Sequence, residues 1–326
     1  MNKEQFFIHK YFSKLSLNKQ SLNLKNDAAE VDFGRKKIVI STDMMIEKIH
    51  FFKNDPPELL ARKLIRINIS DLAAMGAKPY GYTLNLAIPH RNASQWIKKF
   101  ISGLEKEQKN YGLKLFGGDL SKSEKIFMSI TIFGKVSKGI HLMTSAKKKS
   151  DIYVSGNIGD AVFGYLCEND KKYNFIKNKI SISSLKKLKQ KYFLPKPNLE
   201  LSQALVGYAD ACTDISDGLI SDLKKILNFS NLGADIYLSK IPISKTLQSI
   251  YKLFSDKKKF WELVLNWGED YELVFSMSSK KKKVFEKNKT HHKLFKVGSI
   301  RNDRQINIYE KDLTKIKLNF SGFSHF

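Results

Sequence analysis

The chain has 326 residues, a length at which one hydrophobic core usually gives way to two domains of roughly 150 residues each. Apolar residues make up 42% and aromatic residues 12% of the sequence, which excludes an intrinsically disordered chain. The net charge of +25, from 57 basic and 32 acidic residues, is compatible with a polyanionic partner.

Helices and strands alternate through the first part of the chain. A β-branched run at 37–42 predicts a strand that delivers Asp43 at its end, and apolar residues at helical spacing predict a helix at 57–67. The further predicted elements are a strand at 80–88, a helix at 94–111, a short strand at 113–116 that ends in Gly117-Gly118-Asp119, and a strand at 126–136.

The second part continues the alternation after a Lys-rich stretch at 144–150. The predicted elements are a strand at 151–156, a helix from about Asp160, a helix opened by residues 214–218 that runs to Leu227, and strands at 234–238 and 271–275. This order predicts an α/β or α+β fold. We place the domain boundary in the Lys-rich stretch, which gives domains at 1–144 and 145–326.

Targeting segments and cysteines limit the compartment. No run of eighteen apolar residues occurs, and the first residues lack the apolar core of a secretory signal, so we expect a cytoplasmic protein without a membrane partner. Cys167 and Cys212 stand far apart, without Cys or His partners at metal-ligand spacing. They are predicted to be buried apolar residues rather than a disulfide or a zinc site.

The basic residues are almost all lysine. Only six of the 57 are Arg, whereas base readout and bidentate phosphate recognition favour Arg. The lysines are spread over predicted helix surfaces and loops, which indicates a solvated surface and no specific nucleic-acid partner. A lysine-driven nucleic-acid-binding protein is the non-enzyme alternative. Steep salt dependence of DNA binding without magnesium-dependent nucleotide binding would favour it.

Eight acidic residues share one local setting, in turns beside Gly, Ser or Thr. They are Asp27, Asp43, Asp71, Asp119, Asp214, Asp217, Glu269 and Asp270. If the fold brings them together, their repulsion requires cations, and hard carboxylate oxygens suit Mg²⁺. Because Mg²⁺ seeks phosphate oxygens, the pattern indicates a polyphosphate substrate.

Each of these motifs also has a purely structural explanation. Asp214, Ser216 or Asp217 could cap the helix that follows, and Asp71 could cap a short helix. Residues 117–119 could be only a tight turn. Taken one at a time, the motifs leave both explanations open.

Seven segments occur in the order and spacing of a known family. They are Asp27-Ala28-Ala29, Ser41-Thr42-Asp43 with Glu47 and His50-Phe51, residues 68–79 (NISDLAAMGAKP), Gly117-Gly118-Asp119, residues 214–219 (DISDGL), residues 268–273 (GEDYEL) and residues 322–326 (GFSHF). On these segments the chain resembles the thiamine-monophosphate kinase family, of the aminoimidazole-ribonucleotide-synthetase-like ATP-binding superfamily, along almost its whole length.

The resemblance implies a two-domain fold, a homodimer whose N-terminal domains form a barrel, and phosphorylation of thiamine monophosphate by ATP. The implied ligands of several Mg²⁺ ions are Asp27, Ser41, Thr42, Asp43, Asp71, Asp119, Asp214 and Asp217. The implied ATP contacts are Gly118, Asp119, Thr144 and Ser216, and the implied acceptor contacts are His50, Glu269 and Phe323.

The chemistry of the acceptor agrees with the absence of a catalytic base. A phosphate monoester has a second pKa of about 6, so it is already ionised at neutral pH. The obstacle is repulsion between anions, which cations held between donor and acceptor remove. We therefore expect direct in-line transfer without a phosphoenzyme. Aromatic faces suit the acceptor's cationic ring, and Phe51, Trp267 and Phe323 are candidates.

Three positions depart from the family pattern. Asn26 stands before Asp27 where the family has a second Asp, which makes one ligand neutral. Thr144 stands where the family has an Arg that reaches ATP, so a neighbouring Lys takes this role or it is lost. Trp267 replaces a Gly and is expected to narrow the acceptor pocket.

Other members of the superfamily are alternatives with different acceptors. Selenophosphate synthetase requires a reactive N-terminal Cys or selenocysteine, and the hydrogenase-maturation relative requires a C-terminal Cys. The chain has neither residue. A purine-pathway amidine ligase would not share the segments at 267–273 and 322–326 so closely.

Overall fold

The structure is a computed structural model that describes residues 25–32, 37–89, 93–288 and 291–320. The predicted acceptor residue Phe323 and the segment 322–326 lie outside the described residues. The described chain forms two mixed β-sheets with helices packed against them, which confirms the predicted α/β class. Their separation agrees with a boundary near 144, although the boundary itself stays a prediction.

The first sheet has five strands in the order β1-β2-β5-β3-β4, and only β3 and β4 run parallel. Two helices belong to this part of the chain. The elements are β1 (Ala29–Asp32), β2 (Lys37–Ile46), α1 (Pro57–Ala74), β3 (Lys78–Ile88), α2 (Ala93–Tyr111), β4 (Lys114–Lys122) and β5 (Phe127–Lys135).

The second sheet has seven strands in the order β12-β11-β8-β10-β6-β9-β7, with β8 and β11 as its parallel pair. Its strands are β6 (Asp151–Val154), β7 (Ala211–Asp214), β8 (Gly233–Tyr237), β9 (Leu273–Met277), β10 (Phe295–Arg301), β11 (Ile306–Tyr309) and β12 (Lys315–Ile316).

Eight α-helices follow β6 in the described chain. They are α3 (Asp160–Asn169), α4 (Asn174–Lys177), α5 (Ile182–Phe193), α6 (Leu199–Leu205), α7 (Leu219–Ser230), α8 (Lys245–Leu253), α9 (Lys257–Asn266) and α10 (Ser279–Asn288). No helix in the described part of the chain combines the length and the apolar character needed to cross a bilayer.

Helix α1 is longer than the sequence pattern predicts. Pro57 at its start has the fixed φ that suits a first helical position. The segment 68–74 continues the helix because it contains no Gly or Pro, and the helix ends before Gly76 with φ +75°. Asp71 therefore lies inside α1, and the explanation that it caps a short helix is wrong.

Strand β4 is also longer than predicted. Gly117, Gly118 and Asp119 pair in register with Thr83, Leu84 and Asn85 of the parallel strand β3. They continue the strand, so the explanation of a tight turn is wrong. A Cβ on Gly118 would lie 1.8 Å from the carbonyl oxygen of Leu84, so only Gly fits there.

A shared apolar cluster joins the two halves. Ala73, near the end of α1, packs with Leu201 and Leu205 of α6 and with Phe275 of β9. The hydroxyl of Ser202 donates to the Ala73 carbonyl at the same junction. Both cysteines are buried and unpaired, as predicted. The end of α1, which carries Asp71, is thereby fixed against the second sheet.

Candidate active site

Carboxylates from four distant segments meet where α1 passes the second sheet. Their charges act on one another, which shows that the fold brings them close together. They are Asp27 before β1, Asp43 in β2, Asp71 in α1, Asp214 at the end of β7 and Asp217 in the loop before α7. Asp43 lies within β2 rather than at its end.

Hydroxyl groups hold these carboxylates in place. The Ser41 hydroxyl lies within hydrogen-bond distance of Asp71 Oδ2 and of the Asp27 carbonyl oxygen. The Ser70 hydroxyl donates to Asp214 Oδ2 at 2.6 Å. Thr213 Oγ1 donates to both carboxylate oxygens of Asp27 at 3.0 Å. Side chains from both halves of the chain therefore orient each other's acids.

The electrostatics of this group favour the binding of protons or of a cation. Burial raises the pKa of Asp27 and of Asp43 to about 6 and that of Asp214 to about 7. Burial, and then the charges of Asp43 and Asp214, raise the pKa of Asp71 well above its ordinary value. The Lys225 ammonium opposes the effect at Asp27, Asp43 and Asp214. One lysine does not balance five carboxylates.

Sequence reasoning missed Asp222, which organises the 214–218 loop. Its Oδ2 accepts the backbone N–H groups of Ser216 and Asp217, each at 3.0 Å. Its Oδ1 lies 2.8 Å from Lys225 Nζ, which also lies 2.8 Å from Asp217 Oδ2. Burial raises the pKa of Asp222 to about 7 despite this lysine.

The position of Asp222 in α7 could have revealed it. Helix α7 begins at Leu219, and Asp222 falls on the same buried face as Leu219, Leu223 and Ile226. A carboxylate on an apolar stripe indicates a buried partner. The N-cap position of α7 is Gly218 and no side chain in the described chain caps this helix, so the explanation that Asp214, Ser216 or Asp217 caps it is wrong.

Three predicted site residues point elsewhere in this structure. Thr42 lies on the opposite face of β2 from Ser41, and its hydroxyl donates to the Ile130 carbonyl at 2.9 Å. Asp119 is exposed on β4 and accepts from the Ser121 hydroxyl at 2.9 Å. Thr144 is exposed in the 3₁₀ turn Met143–Ser145, which packs against α7 and β7.

Asn26 has a structural partner. Its Oδ1 accepts the backbone N–H of Met143 at 3.0 Å. The amide therefore ties the segment that carries Asp27 to the turn that carries Thr144. Two of the departures from the family pattern are thus neighbours in space.

Two of the predicted acceptor residues, His50 and Glu269, are held by local hydrogen bonds. His50 Nδ1 accepts the backbone N–H of Ile46 at 3.0 Å, which places the proton of a neutral ring on Nε2. The Glu269 N–H donates to the Ser216 carbonyl at 2.9 Å. A Cβ on Gly268, which has φ +82°, would lie 2.0 Å from that same carbonyl oxygen. The loop at 268–270 can approach Ser216 only because Gly268 has no side chain.

An aromatic wall lies beside this loop. Tyr165 stacks with Phe52 at 6.1 Å between ring centroids, and it contacts Trp267 at 5.1 Å and Tyr192 at 5.5 Å. Phe51, by contrast, is buried in the first core and offers no open face. Sequence reasoning found Trp267 but missed Phe52 and Tyr165.

The donor set fits Mg²⁺. Carboxylates and hydroxyls are the hard oxygen ligands that Mg²⁺ prefers. The raised pKa values of Asp71 and Asp214 show that the protein supplies too little positive charge to stabilise their ionised forms. Elsewhere in the described chain, Glu200, His291 and His292 place one ligand atom each within 4.8 Å of one another. Imidazole donors suit borderline metals rather than Mg²⁺.

Comparisons with known proteins agree with this fold and site. The family models for the AIR synthase related protein match the chain with their N-terminal domain at residues 25–136 and their C-terminal domain at residues 152–310. Together they cover more than half of the chain, and they define the class of protein to which this two-sheet architecture belongs.

Curated relatives narrow that class. The thiamine-monophosphate kinase of Buchnera aphidicola subsp. Acyrthosiphon pisum is 38% identical over 98% of this chain and 97% of its own length. The thiamine-monophosphate kinase of Haemophilus influenzae is 35% identical over 86% of this chain and 83% of its own. The chain belongs to the thiamine-monophosphate kinase family.

Solved structures share the architecture. A structure of AaThiL complexed with AMPPCP and TMP matches with a TM-score of 0.84 at 24% identity, over 100% of this chain and 99% of that one. The thiamine-monophosphate kinase of Stenotrophomonas maltophilia matches with a TM-score of 0.75 at 26% identity, over 93% and 95%. The hydrogenase maturation protein HypE of Escherichia coli has the same fold, with a TM-score of 0.67 at 15% identity, over 98% of this chain and 99% of that one.

Proposed function

We propose that the chain transfers the γ-phosphoryl group of ATP to the phosphate of thiamine monophosphate, giving ADP and thiamine diphosphate. The observation that carries the proposal is the group of Asp27, Asp43, Asp71 and Asp214, in which burial and then the charges of the group raise the pKa of Asp71 and of Asp214. It occurs in a chain whose curated relatives are thiamine-monophosphate kinases. Hard cations and phosphates are the partners that such a group takes.

The proposed metal ligands are those that the fold gathers. Several Mg²⁺ ions would be held by Asp27, Ser41, Asp43, Asp71, Asp214 and Asp217. When bound, Mg²⁺ neutralises phosphate oxygens of donor and acceptor. The protein's part is to fix these ligands through Ser41, Ser70 and Thr213. Thr42 is the proposed ligand whose hydroxyl the geometry does not support.

The proposed ATP contacts come from two directions. Gly118 and Asp119 lie on β4, where the absence of a side chain at Gly118 allows this strand to approach Leu84 of β3. Asp119 keeps its proposed second role as a metal ligand on this side. Ser216 lies in the loop that Asp222 organises, and Thr144 lies in the 3₁₀ turn that packs against α7 and β7.

The acceptor needs no base in this mechanism. Its phosphate is ionised at neutral pH, since the second pKa of a monoester is about 6. We propose direct in-line transfer without a phosphoenzyme. His50 and Glu269 flank the acceptor, and the wall of Phe52, Tyr165 and Trp267 offers faces for its cationic ring. Phe323 is proposed by resemblance alone.

The proposal is tested by ADP release from the purified protein with ATP and Mg²⁺. Thiamine monophosphate, thiamine and no acceptor are compared. Turnover only with the monophosphate, with thiamine diphosphate as the product, is the expected result. Magnesium-dependent ATP binding without turnover on any of the three would overturn the proposed acceptor and indicate another one. A phosphorylated side chain after ATP alone would contradict direct transfer.

We also propose that the N-terminal domain, assigned to residues 1–144, forms a homodimer through β4. This strand is an edge of the first sheet, and all nine of its residues are exposed. Leu115, Phe116 and Leu120 expose 49%, 49% and 62% of their surface. An exposed edge strand with apolar side chains is an unprotected pairing surface in a monomer.

Charges on this edge should therefore prevent dimerisation. We expect wild-type protein to be a dimer by analytical ultracentrifugation, and the variant Leu115→Lys/Leu120→Lys to be a monomer with an unchanged circular dichroism spectrum. Ile182→Lys, at a position 87% exposed in α5, is the matched control and should remain a dimer. A monomeric wild type, or a double variant that still dimerises, would contradict pairing through β4.

A further inference from the structure

Lys63 is a cation enclosed by the protein. It lies in α1 beside the buried Leu60, Leu64 and Ile67, and its side chain retains only 1% exposure. Moving an ammonium group away from water costs several kcal/mol unless charged and polar groups surround it. A lysine on this buried stripe therefore needs a partner from elsewhere in the chain.

That partner is Glu269, whose Oε2 forms an ion pair with Lys63 Nζ. The same Nζ lies 3.7 Å from the ring centroid of Tyr192 in α5, within cation–π range. Asp55, in the turn before α1, is a further carboxylate on which the Lys63 charge acts. One ammonium group thus joins α1, the Glu269 loop and α5.

Both partners of Lys63 face the acceptor side of the site. Glu269 retains 24% exposure, and its N–H is bonded to the Ser216 carbonyl. Its φ of +64° is unusual for a residue with a side chain, so the loop depends on its surroundings to keep that conformation. Tyr192 contacts Tyr165, the centre of the aromatic wall.

We propose that Lys63 is a positioning residue for the acceptor. From α1, it holds the Glu269 carboxylate and the Tyr192 ring in place. The inference rests on the acceptor role proposed for Glu269. Because the contacts of Lys63 lie on the acceptor side, removing its charge weakens the binding of the acceptor and does not change the binding of ATP. A displacement of about 1 Å in a binding group can change rates on the order of 100-fold.

The test is Lys63→Met, which keeps the length and apolar stem of the side chain and removes its charge. We expect the Kd for thiamine monophosphate, from tryptophan fluorescence, and its KM to rise on the order of 10- to 100-fold. The KM for ATP should change by less than about twofold, within measurement error on this scale. Lys106→Met, which removes an exposed lysine paired with Glu58, is the matched control and should leave all three values unchanged.

A double variant separates positioning from folding. Lys63→Met leaves a carboxylate without its buried partner, whereas Lys63→Met/Glu269→Gln removes both charges and should recover the melting temperature. If Lys63 acts through Glu269, the double variant has the same acceptor Kd as Glu269→Gln alone. Additive effects, or an unchanged Kd in Lys63→Met, would overturn the inference.

The outcomes also separate this inference from the proposed function. A wild-type protein that binds and phosphorylates thiamine monophosphate, beside a Lys63→Met variant with the same acceptor Kd, contradicts only the role of Lys63. A wild-type protein that does not bind thiamine monophosphate contradicts the proposed acceptor, and the role of Lys63 with it. If Lys63→Met does not fold, the comparison of the double variant with Glu269→Gln decides.

Discussion

Replacing Asp71 with Asn is expected to lower kcat/KM for thiamine monophosphate by about 100- to 1000-fold or more, with the fold retained. Asp71 is partly buried, its carboxylate accepts from Ser41, and the charges of Asp43 and Asp214 act on it. Asn has nearly the same shape but no charge, so it weakens cation binding without opening a cavity. ADP release and thermal unfolding measure the two effects separately.

Asp160→Asn provides the control for this prediction. Asp160 is buried, and it accepts from the Ser244 hydroxyl at 2.6 Å at the start of α3. We expect this variant to lose stability by about 1 kcal/mol and to keep its activity within a few-fold. Wild-type activity in Asp71→Asn would show that the carboxylate group is structural and would remove the basis of the metal assignment.

The metal-free protein is expected to become less stable as pH rises from about 4 to about 7. The pKa of Asp27 and of Asp43 is raised to about 6 and that of Asp214 to about 7, with burial as the main cause. In this interval the native state binds more protons than the unfolded state, so the free energy of unfolding falls with pH. For Asp27 alone, a shift from 3.8 to about 6 corresponds to about 3 kcal/mol.

Mg²⁺ should reverse this loss at neutral pH, since it binds the ionised carboxylates of the native state. The measurement is the melting temperature in EDTA and in millimolar Mg²⁺ across the pH range. Asp214→Asn removes one titrating group and should flatten the profile in EDTA. Asp312→Asn, at an exposed residue far from the site along the chain, should leave the profile unchanged. A melting temperature in EDTA that rises steadily to pH 7, or that Mg²⁺ does not change, would contradict the prediction.

Many of the regular elements and the main acidic site residues could be predicted from the sequence. β-Branched and helical periodicity predicted most elements of the first sheet near their observed positions, and the motif segments identified Asp27, Asp71 and Asp214. In the second part it left β7, β10, β11, β12 and most of the helices unassigned. Their convergence required more, because Asp27 and Thr213 are 186 residues apart and local patterns carry no information on such distances. The family resemblance supplied that information before the structure did.

The contacts of individual side chains could not be predicted from the sequence in the same way. Strand periodicity places Thr42 on the opposite face of β2 from Ser41. The family motif contains both residues consecutively, so both were predicted as metal ligands. Lys63 and Asp222 lie on buried helix faces. A charged residue on such a face indicates that it has a partner, but the sequence does not show which residue the partner is. Phe52 and Tyr165 lie far apart in sequence, and only the packing of α3 brings them together.

The separation of the interacting groups determines when the site can form during synthesis. Ser70 meets Asp214 across 144 residues, and Asn26 meets Met143 across 117. Contacts between such distant residues form late, because the intervening chain must first become compact. Domains emerge and fold from the N-terminus during translation. A nascent chain in which the first sheet has already formed, but β7 is still inside the ribosome, therefore holds only three of the five carboxylates, and the group is complete only after Asp214 and Asp217 have emerged.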